Sequence, residues 1–212
     1  MRVPGALIRN PGSDRDWTVM RELCCRTGNS GAEISRERWP FFSEYWIGPY
    51  QRLLPAWSYV AEVDGAVKGY LTGCPDTLRF DRRKRLHSKL PLLLDVLRGR
   101  YVRNNDLKRF VLRTLHLEKT PERRFPVSVH RTLAKQYPAH LHVNIDVSCR
   151  GQGLGQLLVE KFCADLRHLN VPGLHVYCGA GPVRFYKAVG FTELASIDDP
   201  AHVYCLVRTI AP

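Results

Sequence analysis

A glycine-rich turn constrains what this chain can fold into more than any other stretch, and it consists of Arg150-Gly151-Gln152-Gly153-Leu154-Gly155. Alternating apolar residues over 141–147 predict a strand before it. The first N–H groups of a helix lack intrahelical acceptors and carry the positive end of its dipole, and glycines let an anion approach them. The turn is therefore predicted to bind a phosphate. Apolar residues at helical spacing predict a helix after it: Leu154, Leu157, Leu158, Phe162, Leu166 and Leu169.

Two common phosphate-binding motifs do not match this turn. A Walker A loop ends in Gly-Lys followed by Ser or Thr, whereas here Gly155 is followed by Gln156 and Leu157. A dinucleotide-binding turn has the spacing G-x-G-x-x-G and an acidic residue about 20 positions later. The present spacing is G-x-G-x-G, and residues 171–176 contain no carboxylate. A nucleoside triphosphatase and a dinucleotide-dependent enzyme are both disfavoured.

A second motif follows the turn. A strand is predicted at 174–178, Pro182 suits the first turn of another helix, and Phe185-Tyr186 begins an F-Y-x-x-x-G-F sequence that ends at Phe191. Together with R-x-x-G-x-G at the turn, this sequence resembles the signatures of the GNAT (GCN5-related) N-acetyltransferase superfamily, bacterial type. It is also similar to the acetyltransferase-like domain of O-GlcNAcases. The resemblance covers residues 140–208 well and 1–74 plausibly.

The resemblance implies one α/β (α+β) domain over residues 1–212, the GNAT fold. Its central sheet is mixed but mostly antiparallel, has six to seven strands and is flanked by helices, and a basic helical insertion at 75–139 precedes the fourth strand. Local patterns agree with this order. They predict strands at 6–9, 57–63 and 67–73, and a tight turn at Asp64-Gly65 joins the last two. They also predict a helix that is capped by Asp14 or Asp16 and runs through Cys25, and a helix that starts at Trp39 and ends near Pro49 or Pro55. Two further helices are predicted at 86–97 and 106–117.

The resemblance also implies an activity. GNAT enzymes transfer the acetyl group of acetyl-CoA to an amine by direct attack in a ternary complex. Residues 150–155 would hold the coenzyme A pyrophosphate, and the backbone of Ile145 and Val147 on the predicted strand would bind the pantetheine arm. Tyr186 occupies the position of the tyrosine that protonates the departing thiolate, and a phenol with a pKa of about 10 is protonated at neutral pH. The alternative for Tyr186 is a core aromatic beside Phe185.

The general base is less well defined. His140, His142, Asn144 and Asp146 alternate on one face of the predicted strand. The His-Leu-His run resembles the paired histidines of arylalkylamine acetyltransferases, whereas Asn144 stands where similar bacterial enzymes are expected to have an Asp. His142 or Asp146 is predicted as the base, the alternative being polar side chains on a half-solvated strand. Gly179 stands where the family often has an Asn that contacts the coenzyme.

The net charge of +12 is unevenly distributed. Residues 79–124 contain 15 Lys and Arg but 5 Asp and Glu, a net charge of +10. A basic patch is typical of proteins that bind nucleic acid or other anions. Because few aromatic residues are interleaved, we expect a solvated helical surface near the coenzyme phosphates and no nucleic acid. An acidic protein partner and a contact between copies in a homodimer are the alternatives.

The cysteines and the apolar runs bear on the compartment. Seven scattered cysteines without a C-x-x-C pair argue against both a disulfide framework and a zinc site, so no metal is expected. No apolar run approaches the ~20 residues of a membrane span. We therefore expect a cytoplasmic enzyme with no membrane partner that acts on a small-molecule or peptide amine. A catalytically inactive binding module and a nucleic-acid-associated factor are the competing functions.

Overall fold

Seven strands form one sheet in the part of the chain that the structure describes, in the order β1-β2-β3-β4-β5-β7-β6. The structure is a computed structural model and describes residues 5–28, 31–101, 105–115, 124–198 and 202–210, without the side chains of Arg113 and Leu115. The β4–β5 pair is parallel and the other pairs are antiparallel, which confirms the predicted mixed sheet. The strands are β1 (Leu7–Arg9), β2 (Ser58–Val63), β3 (Ala66–Cys74), β4 (Ala139–Ile145), β5 (Gly173–Cys178), β6 (Thr192–Asp198) and β7 (His202–Thr209).

Helices cover both faces of this sheet. A π-helical turn over Arg85–Lys89 joins α4 to α5, so that residues 77–97 form one continuous helical segment. Helices α4 to α7 lie between β3 and β4, where the sequence predicts the helical insertion. The α-helices are α1 (Asp14–Thr27), α2 (Trp39–Trp46), α3 (Gly48–Leu53), α4 (Thr77–Lys84), α5 (Leu90–Leu97), α6 (Asn105–Leu115), α7 (Val127–Gln136), α8 (Leu154–His168) and α9 (Val183–Ala188).

Short-range signals explain several boundaries. Asp64 and Gly65 both have positive φ (50° and 74°), which is the geometry of the tight turn predicted between β2 and β3. Helix α1 begins as predicted, but its cap is Ser13, whose Oγ accepts the N–H of Asp16 at 3.2 Å. The predicted caps Asp14 and Asp16 lie inside the first turn, because Asp16 is held by an ion pair with Arg9 (2.7 Å).

The two faces of the sheet carry separate cores. On one face α8 packs its buried side chains, Leu158 and Phe162 among them, against Leu71 and Leu141. On the other face α1 and α2 pack around Tyr70, which is completely buried. Since side chains alternate along a strand, even-numbered residues of β4 face α2 and odd-numbered ones face α8. Each predicted site residue on β4 is thereby assigned to one face.

The parallel pair β4–β5 is short. Its registered partners are Ala139 with Leu174 and His140 with His175, although β4 continues to Ile145 and β5 to Cys178. Beyond these two pairs the strands diverge, and they leave an opening in the middle of the sheet. The turn at 150–155 and helix α9 follow the diverging ends in sequence, so the opening lies where the candidate site residues meet.

Three predicted boundaries differ from the structure. The strand predicted at 141–147 is β4, but it begins at Ala139 and ends at Ile145. The first helix of the insertion begins at Thr77, nine residues before the predicted position 86. The single helix predicted from Trp39 is two helices in the structure, since α2 ends at Trp46 and α3 begins at Gly48. The last two residues of the helix predicted at 106–117 lie outside the described residues.

Candidate functional site

The turn at 150–155 has the backbone geometry that its glycines predict. Gly151 and Gly153 have φ angles of +76° and +86°, a region that residues with a Cβ rarely adopt. Helix α8 begins immediately afterwards, and the N–H of Leu157 donates to the carbonyl of Gly153 (3.1 Å). The N–H groups of residues 154–156 precede this first helical bond and have no intrahelical acceptor. They form, with the helix dipole, a site suited to an anion.

Side chains of the turn hold its shape. The Nε2 group of Gln152 donates to the carbonyl of Ser148 (3.1 Å). The guanidinium of Arg150 donates to the carbonyl of Gly31 (3.1 Å) and to that of Ile145 (3.4 Å). Arg150 thus links the turn to the connection after α1, a long-range contact that the sequence alone did not predict.

The turn also contacts the second motif. A Cβ on Gly155 would lie 2.9 Å from the ring of Phe185, closer than Cβ atoms normally approach another atom. The N-terminus of α8 and helix α9 therefore meet at this glycine. Phe185 in turn packs edge-on against Tyr186, with 5.1 Å between ring centroids.

Tyr186 lies on the α8 side of the sheet, in the core that includes Leu141 and Leu154. It is 6% exposed, and its ring also packs against Phe191 at 5.3 Å. Burial, with a smaller contribution from Cys178, raises the pKa of its phenol above the ordinary value. Tyr186 is therefore protonated at neutral pH and able to donate a proton near the end of β5.

His142 lies on the opposite face, against α2. Its ring stacks on Trp46 (5.7 Å between centroids, 17° between planes). Its Nε2 accepts a hydrogen bond from the amide of Asn144 (2.9 Å), which also donates to the hydroxyl of Tyr70 (2.7 Å). Burial and the nearby charge of Lys84 lower the pKa of His142 to about 4. The imidazole is therefore neutral at physiological pH.

Asp146 and Val147 do not continue the strand as predicted. Asp146 caps a 3-10 turn, Val147–Cys149, and its Oδ1 accepts both the N–H (2.9 Å) and the Oγ (2.6 Å) of Ser148. These bonds lower the pKa of the Asp146 carboxyl. Val147 is 63% exposed on the turn, whereas Ile145 is the last residue of β4. Asp146 thus lies one residue beyond β4, where its N–H still donates to the carbonyl of Lys68 (2.8 Å) and its carboxyl is engaged by the cap.

His140 belongs to a buried network that the sequence did not reveal. The hydroxyl of Thr77 donates to the carbonyl of Pro138 (2.7 Å), so it accepts from Nδ1 of His140 (2.8 Å). The hydroxyl of Tyr50 then donates to Nε2 of His140 (2.7 Å). Burial and neighbouring positive groups lower the pKa of His140 well below its usual value. Both ring nitrogens are engaged, so His140 fixes β4 to α3 and α4. Tyr50 and Thr77 lie far from His140 in sequence, and no local pattern indicates the contact.

No cluster of three or more His, Cys, Asp or Glu side chains is placed to hold a metal ion within the described residues. The helices of the same residues include none that is long and apolar enough to span a bilayer. All seven cysteines are free thiols in the structure.

Sequence comparison gives a short match. No protein-family model matches the chain. A 49-residue segment, 23% of the chain, is 39% identical to serotonin N-acetyltransferase 2, chloroplastic, of Oryza sativa subsp. japonica. The match covers 24% of that relative, so it leaves most of the rice protein unmatched.

Structural comparison covers nearly the whole chain. The crystal structure of SsHAT has a TM-score of 0.72 and 28% identity, over 99% of this chain and 100% of that one. The yncA protein of Salmonella typhimurium, solved with its cofactor acetyl-CoA, has a TM-score of 0.57 and 15% identity over 98% and 95% of the two chains. A GCN5-related N-acetyltransferase from Kribbella flavida has a TM-score of 0.53 and 11% identity over 97% and 98%.

The strand order, the turn before α8 and these neighbours agree with one another. The chain has the GNAT fold and is similar to the GNAT N-acetyltransferases.

Proposed function

We propose that this protein is a cytoplasmic N-acetyltransferase that moves the acetyl group of acetyl-CoA to a primary amine of a small molecule or protein, by direct attack in a ternary complex. One observation carries the proposal. The turn at 150–155, with two left-handed glycines, begins α8 next to Ile145, at the end of β4 that has no registered partner on β5, and Tyr186 lies in the core that also includes Leu154. An anion site, an opening in the sheet and a buried proton donor are thereby combined.

The residues present fit coenzyme A. The N–H groups at the start of α8 are proposed to hold its pyrophosphate, since they have no intrahelical acceptors and Gly151 and Gly153 allow close approach. The backbone of Ile145, at the diverging end of β4, is proposed to bind the pantetheine arm, and that of Val147 to contribute from the adjacent turn. When bound, acetyl-CoA supplies an acetyl group as a thioester.

Tyr186 is proposed as the general acid. Its raised pKa keeps the phenol protonated, and a neutral phenol can donate to a thiolate that develops as the thioester bond breaks. Its position in the α8-side core holds the hydroxyl in a dry environment, where one hydrogen bond to a developing charge is stronger than in water. Tyr186 therefore serves the leaving group and not the acceptor.

The base is proposed to act from the opposite face. His142 is neutral at physiological pH and lies beside Trp46, on the side that α2 covers. Its low pKa makes it a weak base, and its acceptor nitrogen Nε2 would have to release the Asn144 amide before it takes the proton of the attacking amine. Asp146 remains the second proposed base, although Ser148 engages one of its oxygens. Acid and base would thus contact the reacting groups from the two faces of the sheet.

The face that α2 covers is the proposed acceptor side, and it is aromatic. Trp46 contacts both Tyr45 (5.3 Å) and His142 (5.7 Å), and the ammonium group of Lys84 lies over Trp46 at 5.9 Å. Such a wall suits an amine attached to an apolar group. The rice relative acts by name on serotonin, so serotonin belongs in a panel of acceptors.

Two measurements test the proposal. Coenzyme A at 100 times its Kd should raise the free energy of unfolding by about 2.7 kcal/mol, seen as a shift in Tm. Acetyl-CoA with an amine panel should then release thiol at a rate that depends on the amine. A protein that shows no shift at millimolar coenzyme A is not an acetyl-CoA-dependent enzyme. A shift without thiol release for any amine assigns it to the inactive binding modules.

A further inference from the structure

An exposed row of leucines runs along α5 and the π-helical turn before it. A large aliphatic side chain normally loses most of its contact with water on folding, so a contiguous exposed row indicates an interaction surface. We call this row the leucine ridge, and its exposed fractions are 65% for Leu86, 50% for Leu90, 41% for Leu93, 42% for Leu94 and 74% for Leu97. Leu86, Leu90, Leu93 and Leu97 are spaced four, three and four residues apart, which places them on one side of the helical segment, and Leu94 lies next to them.

The ridge projects outward because the other side of α5 is already used. Leu92 and Val96 are each 6% exposed and pack with Phe41 and Val111 in the core between α2, α5 and α6. Helix α5 therefore has two apolar sides, one packed on its own core and one exposed to solvent.

Positive charge flanks the ridge at both ends. Residues 77–100 contain eight Lys and Arg and two Asp, a net charge of +6. Arg82, Arg83 and Arg85 are exposed before the ridge, and Arg98 and Arg100 are exposed after it. Asp95 lies 2.9 Å from Arg100 and offsets part of the second cluster.

We propose that the leucine ridge and its basic flanks dock on the surface of an anionic phospholipid membrane. Segments that lie on a membrane combine a row of leucines with adjacent Lys and Arg, and the anionic headgroups attract the basic residues. A second copy of the chain is a poorer occupant, because two-fold pairing of the ridges sets the basic flanks of one against those of the other. The expectation of no membrane partner rested on the missing spanning segment, and a segment that lies on the surface needs none.

The test uses the full chain and vesicles of two compositions. One set is phosphatidylcholine alone, and the other is an equimolar mixture of phosphatidylcholine and phosphatidylserine. The protein should sediment with the mixed vesicles and stay in solution with the neutral ones. The bound fraction should fall when NaCl is raised from about 0.1 to 0.5 M, because salt screens the flanking charges.

Substitutions separate the apolar and electrostatic parts. The double variant Leu93→Gln and Leu97→Gln should weaken binding about tenfold or more, because both leucines then bury no apolar surface. Leu169→Gln, at a residue 57% exposed outside the ridge, is the matched control and should bind as the parent does. Arg82→Gln with Arg83→Gln should weaken binding and reduce its salt dependence. Far-UV circular dichroism checks that each variant is folded.

Three results overturn the proposal. One is the absence of sedimentation with the mixed vesicles at about 0.1 M NaCl. Another is unchanged vesicle binding by the Leu93→Gln, Leu97→Gln variant, which would show that the basic residues bind the vesicles without the leucine ridge. The third is a concentration-dependent dimer that the same variant dissociates while vesicles are not bound, which assigns the ridge to a second copy. None of these results depends on whether the protein transfers acetyl groups.

Discussion

Gly155 and Phe185 lie so close that a single added methyl group would bring them into conflict, with 2.9 Å between the new Cβ and the ring. One residue belongs to the turn before α8 and the other to the motif that contains Tyr186. The proposed coenzyme site and the proposed proton donor are thus placed by one contact between α8 and α9, and a change at this contact is expected to alter both.

Gly155→Ala should therefore reduce coenzyme A affinity and the rate of thiol release together. The methyl group must displace the Phe185 ring or the start of α8, and overpacking of this kind costs about 1–3 kcal/mol. Adding Phe185→Leu removes the ring and should restore part of the affinity. Isothermal titration with coenzyme A measures both variants, and an unimpaired Gly155→Ala protein would contradict the importance of the contact.

Gly153→Ala should weaken coenzyme A binding more than it destabilises the protein. Its φ of +86° disfavours a Cβ by about 1–2 kcal/mol, and the methyl group also obstructs the proposed anion site. Gly99→Ala is the matched control, because Gly99 has a φ of +83° and lies outside the site. The two variants should lose similar free energy of unfolding in urea, while only Gly153→Ala reduces the Tm shift that coenzyme A produces. Equal shifts in both variants would remove Gly153 from the site.

Tyr186→Phe should lower kcat by about 100-fold or more, as expected on loss of a general acid, and leave coenzyme A affinity almost unchanged. The ring and its packing against Phe185 and Phe191 are kept, so the fold is preserved. Tyr204→Phe on β7 serves as the control and should keep full activity. A Tyr186→Phe enzyme with normal kcat would reduce Tyr186 to a packing residue.

Buried histidines with a low pKa should make the protein less stable in mild acid. The pKa of His142 is about 4 in the folded protein and near 6.5 when unfolded, so below pH 6.5 the unfolded chain binds the proton first. This group should hence make the free energy of unfolding fall as the pH drops from 6.5 toward 4, and it contributes no further change above pH 7. His142→Gln should flatten this fall in urea titrations, whereas His87→Gln, at an exposed position, should leave it unchanged. A parent protein equally stable at pH 5 and pH 7.5 would contradict the prediction.

Tyr50→Phe should destabilise the fold without touching the proposed chemistry. It removes the hydroxyl that donates to Nε2 of His140 and leaves a buried acceptor unpaired, at a cost of about 1–3 kcal/mol. Tyr59→Phe is the comparison, since its partner Asp165 keeps an ion pair with Lys161, and its loss should be smaller. Chemical denaturation ranks the two variants, and an equal or reversed order would refute the role given to the Tyr50–His140 bond.

The sequence predicted what short-range chemistry determines. The turn at 150–155, the hairpin at Asp64-Gly65 and helix α8 each depend on residues within one or two turns of chain, and all three are present. The end of β4 was predicted two residues late, because apolar Val147 continues the alternating pattern while the Asp146 cap ends the strand. A side-chain cap competes with a strand pattern, and only the folded structure shows which of them prevails.

The long-range contacts were not predictable from one sequence. Neither the bond from Arg150 to Gly31 nor the network of His140 with Tyr50 and Thr77 leaves a periodic signal. Strands β6 and β7 were expected only because the resemblance implied six to seven strands. In the structure β7 pairs with both β5 and β6, so these two strands complete the C-terminal part of the sheet. The pKa values of the histidines likewise depend on burial, which the alternation on β4 could not specify.

The two registered pairs between β4 and β5 divide the sheet into two halves that are each nearly continuous in sequence. β1 to β4 form one half, and β5, β7 and β6 form the other within residues 173–209. So few backbone bonds join the halves that the shared core on the α8 side, which includes Leu141 of β4 with Leu174 and Val176 of β5, contributes to their cohesion. Local opening should follow this division, with amide protons of the C-terminal half exchanging as one cooperative unit and those of the N-terminal half as another. The sheet is therefore expected to deform most easily at the boundary between β4 and β5, where the proposed reaction takes place.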